Sequence, residues 1–111
     1  MREFDIHHGM PTIDTALRSL ETFLAISKRT EKAIKIIHGY GSSGSGGAIR
    51  IAAREALEKK RVLGQIKAYI PGEAIATPMG FDDLIRKYKS LLERDSDYRK
   101  GNDGITFVFF Q

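Results

Sequence analysis

Three histidines, one strand-end aspartate and a nine-residue glycine–serine run are the residues of this chain with chemistry to offer. Imidazole titrates near neutrality, so histidine is suited to moving a proton or ligating a metal. His7 and His8 follow Phe4-Asp5-Ile6, and His38 follows Ala33-Ile34-Lys35-Ile36-Ile37; both stretches read as short strands. Residues 39–47 then hold five glycines, three serines and one tyrosine before helical periodicity resumes at Ile49. Backbone N–H groups in such a loop, opening onto a helix N-terminus, form a cradle for an anion. Gly39, Tyr40, Gly41, Ser42, Ser43 and Gly44 are its candidate residues. Arg50 and Arg54, in the first turns of the helix, add charged donors for phosphate oxygens. His38, helped by His7 or Asp5, is the candidate for proton transfer.

Rival readings of the same residues are weaker. Gly39-Tyr40-Gly41-Ser42-Ser43-Gly44 is a literal G-x-G-x-x-G, but a dinucleotide fold places that motif after its first strand. Here a strand and a helix precede it, and 111 residues cannot supply both mononucleotide halves. Gly41 to Gly46 has the glycine spacing of a Walker loop, yet Gly47 stands where the lysine belongs. A tight strand-to-helix turn needs fewer than five glycines. The absence of cysteine excludes a disulfide scaffold, a zinc knuckle and a thiol nucleophile. Asp5 is the one carboxylate near this edge, so a divalent metal stays open and no ligand set is assigned.

The elements that must position these groups follow from periodicity. Thr12 is an N-cap, and Ile13, Ala16, Leu17, Leu20 and Leu24 stripe a helix to about Lys28. Ile49, Ala52, Ala53, Ala56 and Leu57 mark a second helix; Gln65 to Ile70 alternates as a third strand, ended by Pro71-Gly72. Phe81, Leu84, Ile85, Tyr88 and Leu92 mark a third helix, and Ile105 to Phe110 closes the chain as a fourth strand after the turn Asn102-Asp103-Gly104. The order β-α-β-α-β-α-β predicts a single α/β domain over 1–111, a two-layer sandwich on a four-stranded mixed sheet. If the first two strands are parallel neighbours, their C-terminal ends share the sheet edge where α/β folds bind ligands. All three histidines and the glycine loop then converge. At such an edge, truncating a histidine leaves little cavity behind.

Formal net charge is +4, but nine Lys/Arg against three acids lie between Lys28 and Arg61. That local surplus favours a polyanion partner. The N-terminus shows no apolar segment of a signal peptide, and no apolar run is long enough to span a membrane. A cytoplasmic location is the expectation.

Together these segments resemble the small MutS-related (Smr) domain family. Ile36-Ile37-His38-Gly39-Tyr40-Gly41, followed by Ala48-Ile49-Arg50, is similar to the family's strand ending in His-Gly-x-Gly before a helix. Phe4-Asp5-Ile6-His7-His8-Gly9 echoes its Leu-Asp-x-His-Gly, with His8 as an extra residue. Asn102-Asp103-Gly104-Ile105-Thr106 resembles its closing Gly-Asp-Gly-x-Thr strand, and Pro71-Gly72-Glu73 its exit from the third strand. The resemblance implies a fold similar to the C-terminal domain of translation initiation factor 3, with residues 74–101 an inserted helical segment. It also implies nucleic-acid binding, with nicking endonuclease activity in some members. By position Asp5 and His7 belong to the first motif, and His38, Gly39 and Gly41 to the second. The expected function is therefore nucleic-acid binding with phosphodiester nicking. The alternatives are a non-catalytic nucleic-acid module or a small phosphate- or nucleotide-binding protein, and homo-oligomerisation is left open.

Overall fold

Strand β1 (Arg2–Asp5) and helix α1 (Ile13–Ser27) open the chain, and the Thr12 hydroxyl starts the helix by accepting from the Thr15 N–H at 3.2 Å. Ala16, Leu20 and Leu24 form its buried stripe. Next come β2 (Ala33–Ile37), α2 (Gly46–Val62), β3 (Ala68–Pro71), a 3₁₀ turn (Gly72–Ile75), the short helices α3 (Asp82–Lys87) and α4 (Lys89–Leu92), and β4 (Ile105–Phe109). The computed structural model describes residues 1–9, 11–39, 46–77 and 79–111.

The sheet order is β1-β2-β4-β3. β1 and β2 are parallel with Asp5 opposite Ile37, while β4 runs antiparallel to β2 and β3, placing Ile105 opposite Ile37 and Thr106 opposite Pro71. The mixed four-stranded sheet expected from the element order is present. Its register brings four chain segments to one edge: the exits of β1, β2 and β3 and the entry of β4.

One sheet face, with Phe4, Ile6, Ile34, Ile36 and Val108, packs against α1 and α2. The other, with Ile70, Ile105, Phe107 and Phe109, is covered by Ala74, Tyr88 and Leu92. The expected two layers thus gain a partial third, built by residues from the 3₁₀ turn, α4 and the Tyr88 junction. Every residue of β4 is buried as a result, the pattern of a strand covered on both faces. Several boundaries differ from expectation: β1 covers Arg2–Asp5 rather than Phe4 to Ile6, and α2 begins at Gly46, within the glycine run. The third strand begins at Ala68 because residues 64 and 65 finish α2: Gly64, at φ +77°, and Gln65 donate back to the Arg61 and Lys60 carbonyls at 3.0 and 2.8 Å. The third helix divides at Tyr88, whose backbone leaves helical geometry while its ring stacks on Phe109, centroids 3.9 Å apart.

The second face carries a buried cation. Lys35, 3% exposed in mid-β2, bonds Asp95 at 2.9 Å and Asp97 at 2.6 Å. Burial alone pushes its ammonium down, but the hydrogen bonds to Asp97 and Asp95 outweigh it and hold the group above the usual lysine range. The pair anchors the stretch after α4 to the centre of the sheet. Removing one side of a buried ion pair costs about 3–5 kcal/mol, whereas an apolar isostere of the whole pair is near neutral. Asp95→Asn with Asp97→Asn is therefore expected to lose stability by about that amount in urea melts, and adding Lys35→Met to recover most of it.

Candidate functional site at the sheet edge

The chain stays paired one residue past β1, through the Ile6 N–H to the Ile37 carbonyl at 2.9 Å, and then turns. Asp5 Oδ1 closes that turn by accepting the His7 N–H at 2.8 Å. Asp5 thus engages His7 through its backbone, not its ring. The turn sets the His7 imidazole over Gly39. Gly39 sits at φ +77°, a conformation that favours glycine, and a Cβ there would press on the ring, 3.2 Å from His7 Cδ2. His7 is half-buried, while Asp5 and His8 are exposed.

His38 is placed differently. Its ring is fully buried, with Nδ1 2.8 Å from the Gly39 carbonyl and Nε2 2.8 Å from Thr106 Oγ1. A carbonyl only accepts, so Nδ1 carries the proton and Nε2 accepts from the Thr106 hydroxyl. Arg54 Nε donates to the same Thr106 oxygen at 3.1 Å. The terminal nitrogens of Arg54 grip the Glu73 carboxylate in a fork at 2.7 Å each, and one also reaches the Ile105 carbonyl at 3.2 Å. A continuous chain thus runs from Glu73 through Arg54, Thr106 and His38 to Gly39. Burial drives the His38 pKa down to about 4; the Arg54 and Arg50 charges push the same way, against the Gly39 carbonyl. Burial alone would raise Glu73, but the bonds from Arg54 prevail and hold it below the usual carboxylate range. The Gly104 carbonyl accepts from both His38 and Gly39 N–H, at 3.0 and 3.1 Å, and Arg50 reaches Asp103 at 3.2 Å.

Asp5, His7, His38, Gly39, Arg50 and Arg54 are therefore gathered at one edge, and two expectations change. His38 lies behind the edge, enclosed and neutral, so its truncation opens a cavity and orphans polar partners. Arg54, expected to face phosphate, has its donors held by Glu73, Thr106 and backbone carbonyls. Tyr40, Gly41, Ser42, Ser43 and Gly44 lie outside the described residues. Among the described residues no group of three or more His, Asp or Glu could hold a metal ion, and no helix is long and apolar enough to cross a membrane. Glu73 and Thr106 were not singled out from sequence as site residues. Their segments, Pro71-Gly72-Glu73 and Asn102-Asp103-Gly104-Ile105-Thr106, carried the signal only as parts of a pattern.

A mixed sheet whose parallel pair ends in a histidine–glycine junction, opening onto the N-terminus of α2, defines a small α/β domain built around an edge site. The Smr domain family model matches residues 5–76, and the chain belongs to that family. The structure is similar to the crystal structure of the Smr domain of Thermus thermophilus MutS2, with a TM-score of 0.61 over 100% of this chain and 99% of that one; at 20% identity this is a likeness of fold. No curated protein sequence matches the chain.

The enclosed His38 sets a pH dependence. Between its folded value of about 4 and an unfolded value of ~6.5, the unfolded chain binds a proton that the folded chain excludes. Stability therefore rises with pH across that window and is lost on acidification through it. Thermal melts at pH 7 and pH 5 should show a marked fall for the wild type and a smaller one for His38→Gln. At pH 7, His38→Ala should cost about 2–4 kcal/mol from cavity and unpaired groups.

Proposed function

We propose that this domain binds nucleic acid at the edge where β1 and β2 end, and that it nicks a phosphodiester there with His7 as the proton-transferring group. The observation that carries the proposal is the placement of His7: its ring is seated on Gly39, at the approach to α2, and remains partly open to solvent. Family membership supports the substrate class, because Smr domains are generally linked to nucleic-acid binding and nicking. Arg50 and the N-terminus of α2, with Tyr40, Gly41, Ser42, Ser43 and Gly44, meet the phosphate charge. His7 takes a proton from the attacking water or returns one to the leaving oxygen. His38 acts as a positioning residue, holding the Gly39 carbonyl and with it the seat of His7. The whole of 1–111 works as one domain, with residues 74–101 as the elaboration that covers its second face.

A second reading, a binding module without chemistry, draws on one observation. Asp5 engages the His7 backbone, so no described carboxylate is hydrogen-bonded to the His7 ring. Nicking of supercoiled plasmid and of structured RNA, with and without a divalent cation, separates the two. His7→Ala should slow cleavage by about 10²–10⁴-fold while affinity stays within a few-fold. Retained binding with no cleavage by the wild type leaves the module alone standing. No retention of any polynucleotide at low salt overturns both.

A further inference from the structure

Most of the basic surplus read from the sequence does not lie at the candidate site. Register separates the two ends of the sheet. His38 and Gly104 lie where β2 ends and β4 begins, whereas Lys67 and Phe110 are joined at the other end, through Lys67 N–H to the Phe109 carbonyl and Phe110 N–H to the Lys32 carbonyl. At that far pole Lys28 from the end of α1, Arg61 from the end of α2 and Lys67 from the approach to β3 line one groove of about 330 Å³, floored by Ile66 and Phe110. Three separate elements thus bring basic residues to one groove. Arg61 is paired with Glu58, but neither Lys28 nor Lys67 has a carboxylate within ion-pair distance among the described residues. The C-termini of α1 and α2 bring partial negative charge of about half a unit each, which Lys28 at the α1 C-cap and the basic last turn of α2 offset. Lys67 belongs to neither helix, so capping the dipoles does not account for it.

We propose that this far groove is a second contact for a nucleic-acid backbone, engaging phosphates about 20 Å from the histidine edge. The distance follows from the six residue steps from Lys32 to His38 at about 3.3 Å each. Along its axis a duplex carries one phosphate of each strand every ~3.4 Å, so a duplex lying between the two poles presents about six phosphates of one strand over that distance. The inference rests on the nucleic-acid reading above, and adds an anchoring surface that carries no chemistry.

The test compares the wild type, Lys28→Glu with Lys67→Glu, and Lys87→Glu with Lys89→Glu, a control with the same change in net charge on α3 and α4. Binding of a 20-base-pair duplex and of a single strand is followed by fluorescence anisotropy from 50 to 200 mM salt, with a thermal melt for each protein. Loss of two phosphate contacts should weaken duplex binding about tenfold or more and lower the log–log salt slope by about two. The control should shift by less than about threefold. If the far-groove variant matches the control, the groove is not a contact and the edge site stands without it. If the wild type binds neither probe, the nucleic-acid reading falls and takes the groove with it. If the wild type binds anionic phospholipid vesicles more tightly than duplex, and the far-groove variant loses only that binding, the groove is a membrane contact and the proposal is overturned. Lys28→Gln with Lys67→Gln, intermediate in affinity and unchanged in melting, would tie the effect to charge.

Discussion

The fork between Arg54 and Glu73 is the contact on which the rest of the edge depends. Arg54 stands on α2, Glu73 follows β3, Thr106 lies in β4 and His38 ends β2, so one guanidinium ties four elements across the end of the sheet. Removing a guanidinium and a carboxylate from water costs several kcal/mol, and only well-aligned bonds to every donor recover it. The fork meets most of that demand, while Nε reaches Thr106 and a terminal nitrogen reaches the Ile105 carbonyl. The contact therefore contributes less to net stability than to geometry, since any shift of one element strands a charge or a donor. His7 is seated on Gly39 because Gly39 is held by His38, and His38 by Thr106.

Lys35 applies the same logic to the opposite face. An ammonium in mid-strand is tolerated because Asp95 and Asp97 arrive from a stretch some sixty residues away. Burying it demands those carboxylates in place, so the covering layer docks in one register rather than sliding over an apolar sheet. Each face of the sheet thus combines a non-directional apolar core with one directional ionic lock. The locks determine where the covering elements sit, and the cores determine that they bind at all.

These locks mark the limit of what the sequence disclosed. Helices α1 and α2 were legible from their apolar period and β2 from its buried, β-branched run, and parallel pairing of β1 with β2 was enough to bring His7, His38 and Gly39 together. The burial of His38 was also legible, through parity. Ile34, Ile36 and His38 alternate onto the face beneath α2, so the histidine belongs to the core side. The destination of Arg54 was not legible, because its partner lies 19 residues downstream beyond a strand and nothing local specifies the match. The cover over the second face escaped for a similar reason. Ile105, Phe107 and Phe109 announced one apolar face, while Thr106 and Val108 belong to the other, and period alone does not say what lies over either.

Charge teaches the same lesson about segments and surfaces. The stretch from Lys28 to Arg61 is one basic run in the chain but reaches two opposite ends of the fold. At the histidine edge Arg50 and Arg54 are matched by Asp103 and Glu73, so little net positive charge is left there. At the far pole Lys28 and Lys67 have no such match among the described residues. The screening length at physiological salt is about 8 Å, and the poles are separated by more than twice that. Neither end tunes the other through solvent under those conditions. Proton affinity and geometry at the histidine edge are thus set by local burial and by the Arg54 fork, and the lysines of the far pole act only on their own surroundings. The sheet itself is the spacer that keeps the two charge environments apart.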